Sequence, residues 1–135
     1  MSTVAQAIEQ IRNLAETAAK LDAELDKRHG IDRTLGVDVF DSKAIERRYA
    51  TNDGEERLEE YLNSFDLETL RRIQAVMYSG RDGVPAVDER EVLRETTGTK
   101  EDVVRTIMEK RVSFNPYFDR GLDRAKADGI DLDTF

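Results

Sequence analysis

The chain is predicted to be all-α: a single compact domain of five to six helices, led by a long heptad-patterned N-terminal helix. Three features predict this. First, Val4, Ile11, Ala18 and Leu25 recur every seven residues, as do Ala7, Leu14 and Leu21, while Ile8 and Ala15 widen the stripe. Second, capping signals followed by apolar residues at helical spacing return along the rest of the chain. Third, β character is confined to Val37, Val39 and Phe40, with no comparable second strand to pair with them. A length of 135 residues fits one domain with a modest core. Three stretches are expected: residues 1–29 as the long helix, used for packing or dimerisation, 30–53 as a crossover with a short helix, and 54–135 as the helical core.

Thr3 with Gln6 reads as a capping box, and the helix it opens runs to about His29, where Gly30 stops it. At ~1.5 Å per residue such a helix is too long for a small domain to cover at both ends. It therefore packs along several shorter helices or pairs with a second copy. Gly36 breaks the crossover, Ser42 caps a short helix through Tyr49, and Asp53 with Glu56 forms another capping box. Leu58, Tyr61, Leu62 and Phe65 then face inward, with Glu55, Glu59 and Glu60 outward.

The next helix starts at Ser64 or Asp66 and turns Leu67, Leu70, Ile73, Val76 and Met77 inward, with Arg71 and Arg72 facing away. Gly80 reads as its terminating residue, and Gly83-Val84-Pro85 prevents continuation. Asp88 with Glu91 caps a short helix, and Thr99 with Asp102 caps another carrying Val103, Val104, Ile107 and Met108. Asn115-Pro116 reads as a cap followed by a proline at the first helical position. In the last helix Phe118, Leu122 and Ala125 point inward, and Gly121 permits close approach of a neighbour. Ile130 and Leu132 of the tail are expected to tuck back.

Composition narrows the function classes. The net charge of −8, from 29 acids against 21 bases, argues against binding a phosphate backbone, which needs a basic footprint. No apolar run approaches the ~20 residues of a membrane span, and MSTVAQAIEQ is not a secretory leader. With no cysteine there is neither disulfide nor thiolate site, which fits a cytoplasmic address.

Catalytic and metal signatures are weak. His29 is the only histidine and sits at a helix C-terminus, where a cap role suits it. Asp128, Asp131 and Asp133 lack the spacing, glycine and terminal glutamate of a calcium loop. Glu55, Glu56, Glu59 and Glu60 lie on an expected solvent face, whereas acid–base chemistry needs carboxylates in a cleft with split pKa values. Gly80-Arg81-Asp82-Gly83 lacks the Lys-Ser/Thr ending of a phosphate loop and follows a helix instead of preceding one. That turn is either a clasp between helices or a binding corner with Tyr78, Arg81, Asn115 and Tyr117 as contacts.

The segment VMYSGRDG, followed after a charged helix by NPYFDRGLDRAKADGIDL, resembles a family of short bacterial and phage domains of unknown function. Members carry a leucine-rich helix ending in an aromatic-x-Gly-Arg-Gly-Asp-like turn, and later a Tyr-Leu-x-x-Gly-Leu helix. The resemblance covers about residues 61–132, leaves the first helix outside, and departs in reading Arg81-Asp82-Gly83 at the turn. It implies an α-helical fold and no particular activity.

The expected function is a non-catalytic, acidic protein-interaction module with no cofactor and no metal, binding a protein partner or itself. A homodimer would use Val4, Ile8, Ile11, Leu14, Ala18, Leu21 and Leu25. Two alternatives stand beside it: an acidic inhibitor of a nucleic-acid-binding protein, of phage or plasmid counter-defence type, and an enzyme with a site near Tyr78 and Arg81.

Overall fold

The computed structural model describes residues 3–30 and 52–135. Over these residues six α-helices follow one another: α1 (Thr3–Arg28), α2 (Asp53–Asn63), α3 (Leu67–Asp82), α4 (Ala86–Glu95), α5 (Lys100–Glu109) and α6 (Phe114–Ala127). A single 3-10 turn, Arg111–Ser113, leads into α6, and no strand occurs among the described residues. The all-α architecture is therefore the observed one. The crossover and the short helix expected at Ser42–Tyr49 lie outside the described residues.

α1 runs mainly along α2 and touches α3 and α6. Val4, Ile11, Ala18 and Leu25 are all buried, as are Ala7, Ile8 and Ala15, while Leu14 and Leu21 are half-buried. The heptad stripe is thus consumed inside the chain's own core. Its small residues set the distance: a Cβ on Gly54 of α2 would stand 2.8 Å from the Ala18 Cα. The α2 cap is Asn52, not Asp53. Its Oδ1 accepts the Glu55 N–H at 3.1 Å, and its Nδ2 donates to the Ala18 carbonyl at 3.0 Å and to Asp22 at 2.8 Å. One buried amide therefore starts α2 and ties it to α1, which Asp53, exposed and inside the helix, cannot do.

α3 is the central element, packed against α4, α5, α6 and α1. Asp66 caps it by accepting the Thr69 N–H at 2.8 Å, and Ser64 belongs to the end of α2. Leu70, Ile73, Val76 and Met77 are fully buried with Phe114 and Phe118 of α6, whose rings lie 5.3 Å apart. Burying such side chains contributes about 1.5–3 kcal/mol each. Leu67, expected inward, is exposed beside the cap.

Gly80 does not end α3. The helix continues to Asp82 and stops at Gly83, which takes φ 73°, a left-handed value natural to glycine. Gly80 is instead a contact residue: a Cβ there would collide with the Tyr117 carbonyl. Gly121 answers it, since a Cβ there would collide with the Val76 carbonyl. The two glycines let α3 and α6 meet backbone to backbone, as expected for Gly121.

α4 begins at Ala86 behind Pro85, whose fixed φ of −58° starts the helix with no side-chain cap, so Asp88 lies in the first turn. α5 has the full capping box: Asp102 N–H to the Thr99 hydroxyl at 3.2 Å and Thr99 N–H to the Asp102 carboxylate at 3.0 Å. α6 starts at Phe114, so Asn115 is no cap and Pro116 occupies the third helical position, where an N–H has no intrahelical acceptor. The end of α6 is a Schellman motif at Gly129 (φ 67°): Ile130 N–H reaches the Ala125 carbonyl at 3.0 Å and Gly129 N–H the Lys126 carbonyl at 3.2 Å. Leu132 and Phe135 then fold back onto the core.

The tail also caps α1. Asp133 accepts the Val4 N–H at 2.9 Å and the Thr3 N–H at 3.2 Å, so the first turn is completed from the other end of the chain. Thr3, read as the cap from sequence, is itself the first helical residue.

Candidate functional site

α4 and α5 both lean on α3 but make no extensive contact with each other. Between them, with α3 as floor, lies a cleft of about 550 Å³. Four polar side chains of α3 line it, Arg71, Gln74, Tyr78 and Arg81. Their spacing of three, four and three residues places them on one helical face. α4 supplies Glu89, Val92 and Leu93; α5 supplies Asp102, Val103, Arg105 and Thr106; Thr96, Thr97 and Gly98 close the end between them.

The floor is charged and buried. Arg71 is 7% exposed, against the expectation that it faces away, and its Nη2 donates to the Thr96 carbonyl at 3.2 Å. Among the described residues no carboxylate stands within ion-pair distance of it. Gln74, 4% exposed, donates from Nε2 to the Tyr78 hydroxyl at 3.0 Å, and its Oε1 has no partner. Arg72 also turns inward: it donates to the Phe135 carbonyl at 3.2 Å and reaches Glu68 at 3.4 Å.

At the rim, Arg81 forks onto the neighbouring Asp82 at 2.7 and 2.9 Å and lies over the Tyr78 ring, 4.1 Å from its centroid. The Asp82 hydrogen bonds raise the Arg81 pKa further. Hydrogen bonding from Arg81 holds Asp82 below the ordinary carboxylate range, and Glu89 shares a hydrogen bond with it. Burial first, and then the bond to Asp82, push Glu89 up to about 7. On α5, Asp102 binds Arg105 at 2.8 Å, and its capping bonds with Thr99 keep it below its ordinary value.

Of the four residues expected to form a binding corner, two meet. Tyr78 and Arg81 share this cleft. Asn115 lies on another surface, accepting Arg12 Nε at 3.0 Å next to the Arg12–Asp119 pair at 2.7 Å. Tyr117 is half-buried, and its backbone is the surface on which Gly80 packs. The Gly80–Gly83 turn is tied to α6 through this glycine contact and a long Arg124–Gly83 carbonyl contact of 3.5 Å, while Arg81 itself is not part of the tie.

The seam residues Val4, Ile8, Ile11 and Leu25 are inside the molecule, with Leu14 and Leu21 half-covered. On α2, Glu55 is engaged by Arg111 at 2.8 Å, and Glu56, Glu59 and Glu60 are exposed. In the tail, Asp128 binds Arg124 at 2.9 Å and Asp131 accepts the Asp133 N–H at 3.0 Å. Among the described residues no group of three or more acidic or histidine side chains is placed to hold a metal ion, and no helix is long and apolar enough to cross a membrane.

Sequence reasoning missed Arg71, Gln74, Glu89 and Arg105. The signal was present in α3, where Arg71, Gln74, Tyr78 and Arg81 form a polar stripe on a helix otherwise apolar enough to be central. Such a stripe marks a face that neither the core nor open solvent fully takes. No protein-family model, curated protein or solved structure matches the chain significantly.

Proposed function

We propose that the protein is a non-catalytic interaction module that grips an acidic segment of a partner protein in the cleft between α3, α4 and α5. The observation that carries this is Arg71, a buried guanidinium on the cleft floor with a carbonyl partner and, among the described residues, no carboxylate. Arg81 and Arg105 add cationic groups at the rim, and Val92, 62% exposed, offers apolar surface next to them. A partner that supplies carboxylates and aliphatic side chains matches this lining.

Binding, not turnover, suits the arrangement. Arg81, Asp82 and Glu89 hold one another, and no nucleophile with an adjacent base lines the cleft among the described residues. The heptad face of α1, offered by sequence as a dimer seam, is occupied by the chain's own core and leaves the α3–α5 cleft as the better recognition surface.

The test is selection of a random peptide library on the full chain, followed by rebinding to Arg81→Ser/Arg105→Ser, a rim double variant that leaves the core intact. Enriched peptides should carry Asp or Glu beside aliphatic residues and should lose at least tenfold in affinity for the variant, about 0.7 kcal/mol per arginine at 1.4 kcal/mol per decade. A library that yields no binder, or binders indifferent to both arginines, overturns the proposal.

A further inference from the structure

We infer that the floor of the cleft is a carboxylate subsite in which Arg71 receives a single carboxylate and Gln74 the N–H beside it. The subsite depends on the binding role proposed above and names the group it recognises.

A guanidinium removed from water needs a partner for its charge as well as for its donors. The other buried arginine obeys this: Arg90, 3% exposed, reaches Glu68 at 3.0 Å. The more exposed arginines flanking the cleft are paired as well, Arg81 with Asp82 and Arg105 with Asp102. Arg71, also buried at 7% exposed, has only the Thr96 carbonyl among the described residues. Its forked donors are therefore left for an anion arriving through the cleft, and a planar carboxylate fits that fork with two parallel bonds.

The second observation concerns a different side chain. Gln74 stands three residues along α3 on the same face, buried, with Nε2 given to Tyr78 and Oε1 given to nothing. A buried amide oxygen without a donor is costly, at about 1–3 kcal/mol. Turning the carboxamide toward the cleft offers Oε1 to an N–H. An aspartate or glutamate residue brings both groups at once, a side-chain carboxylate and its own backbone N–H.

Charge decides between a carboxylate and a phosphate. The three arginines of the cleft stand with Asp82, Asp102 and Glu89, which leaves one net positive charge while Glu89 holds its proton. That balance suits a monoanion; a phosphate dianion would meet two carboxylates at close range.

The experiment follows the arginine Nε–Hε signals of the isotopically labelled full chain by NMR. Four probes are added separately: acetyl-aspartate N-methylamide, acetyl-glycine, acetyl-asparagine N-methylamide and inorganic phosphate. The Arg71 signal should move saturably with acetyl-aspartate N-methylamide, which would place an internal acidic residue in the subsite, or with acetyl-glycine, which would place a chain terminus there. The asparagine analogue should bind at least tenfold more weakly. Arg71→Lys, which keeps the charge and loses the fork, should weaken the acid by about tenfold, the worth of one charge-assisted hydrogen bond. Gln74→Glu, which sets a carboxylate one turn from Arg71, should abolish binding. An Arg71 signal unmoved by both acids, an equal response to asparagine, or tighter binding of phosphate overturns the subsite. If Arg71 stays silent while library peptides still depend on Arg81 and Arg105, the subsite falls and the interaction role stands. If acetyl-aspartate N-methylamide moves Arg71 but no peptide binds, the interaction role falls and the subsite stands.

Discussion

Asp133 and Val4 are joined by a 2.9 Å hydrogen bond from the Val4 N–H to the Asp133 carboxylate, closing the chain across 129 positions. The same carboxylate takes the Thr3 N–H, so α1 receives its negative cap from the tail. Asp133→Ala should lower stability by about 1 kcal/mol, and Asp133→Asn, a comparably good cap, should keep most of it. Urea midpoints at constant slope measure this; an alanine variant as stable as the parent would show that the tail does not hold α1.

Gly80 and Gly121 make the second prediction. Each faces a backbone carbonyl of the opposite helix, Tyr117 and Val76 respectively, and neither carbonyl can move without its helix. Gly80→Ala and Gly121→Ala should each destabilise by at least about 2 kcal/mol through overpacking. Gly83→Ala is the control. Its φ of 73° is strained for alanine but nothing lies within 4 Å, so the loss should stay near about 1 kcal/mol. Thermal or urea unfolding ranks the three, and a Gly83 variant as damaged as the other two would contradict the close-packed α3–α6 seam.

The pair of Glu89 and Asp82 makes stability depend on pH. Glu89 is raised from near 4.5 to about 7, so its contribution is complete below 4.5 and is lost as pH rises through 7. Asp82 is lowered from near 3.8, so its contribution is present above that value and is lost as pH falls below it. Between pH 5 and pH 8 the parent should therefore lose about 1 kcal/mol that Glu89→Gln does not lose, the full linkage being reduced by the solvent that reaches the pair. Equal losses in the two proteins, read from urea midpoints at both pH values, would show that the fold does not hold Glu89 protonated.

Most of the architecture was legible from sequence, because heptad spacing and capping residues act locally. The α1 stripe, the Thr99–Asp102 box and the close-packing role of Gly121 are all read from a few neighbouring positions. What escaped depends on distant partners. Asn52 displaced Asp53 as a cap because it also reaches Ala18 and Asp22. Gly80 was read as a helix end because its actual neighbour, Tyr117, lies 37 positions away in sequence and is brought near only by folding. The cleft escaped for the same reason. A pattern of charges on α3 does not reveal that α4 and α5 diverge above it, so Arg71 was assigned to solvent instead of to a buried floor.

The central claim, that Arg71 receives a carboxylate from the partner, is tested most directly by a calorimetric double-mutant cycle. The four combinations are the full chain or its Arg71→Lys variant, each with an acidic peptide from the library selection or with that peptide's acid replaced by its amide. Arg71 and the acid should be coupled by about 1.5 kcal/mol or more, so that either change alone removes most of what both remove together. Additive losses, with a coupling near zero, would contradict it.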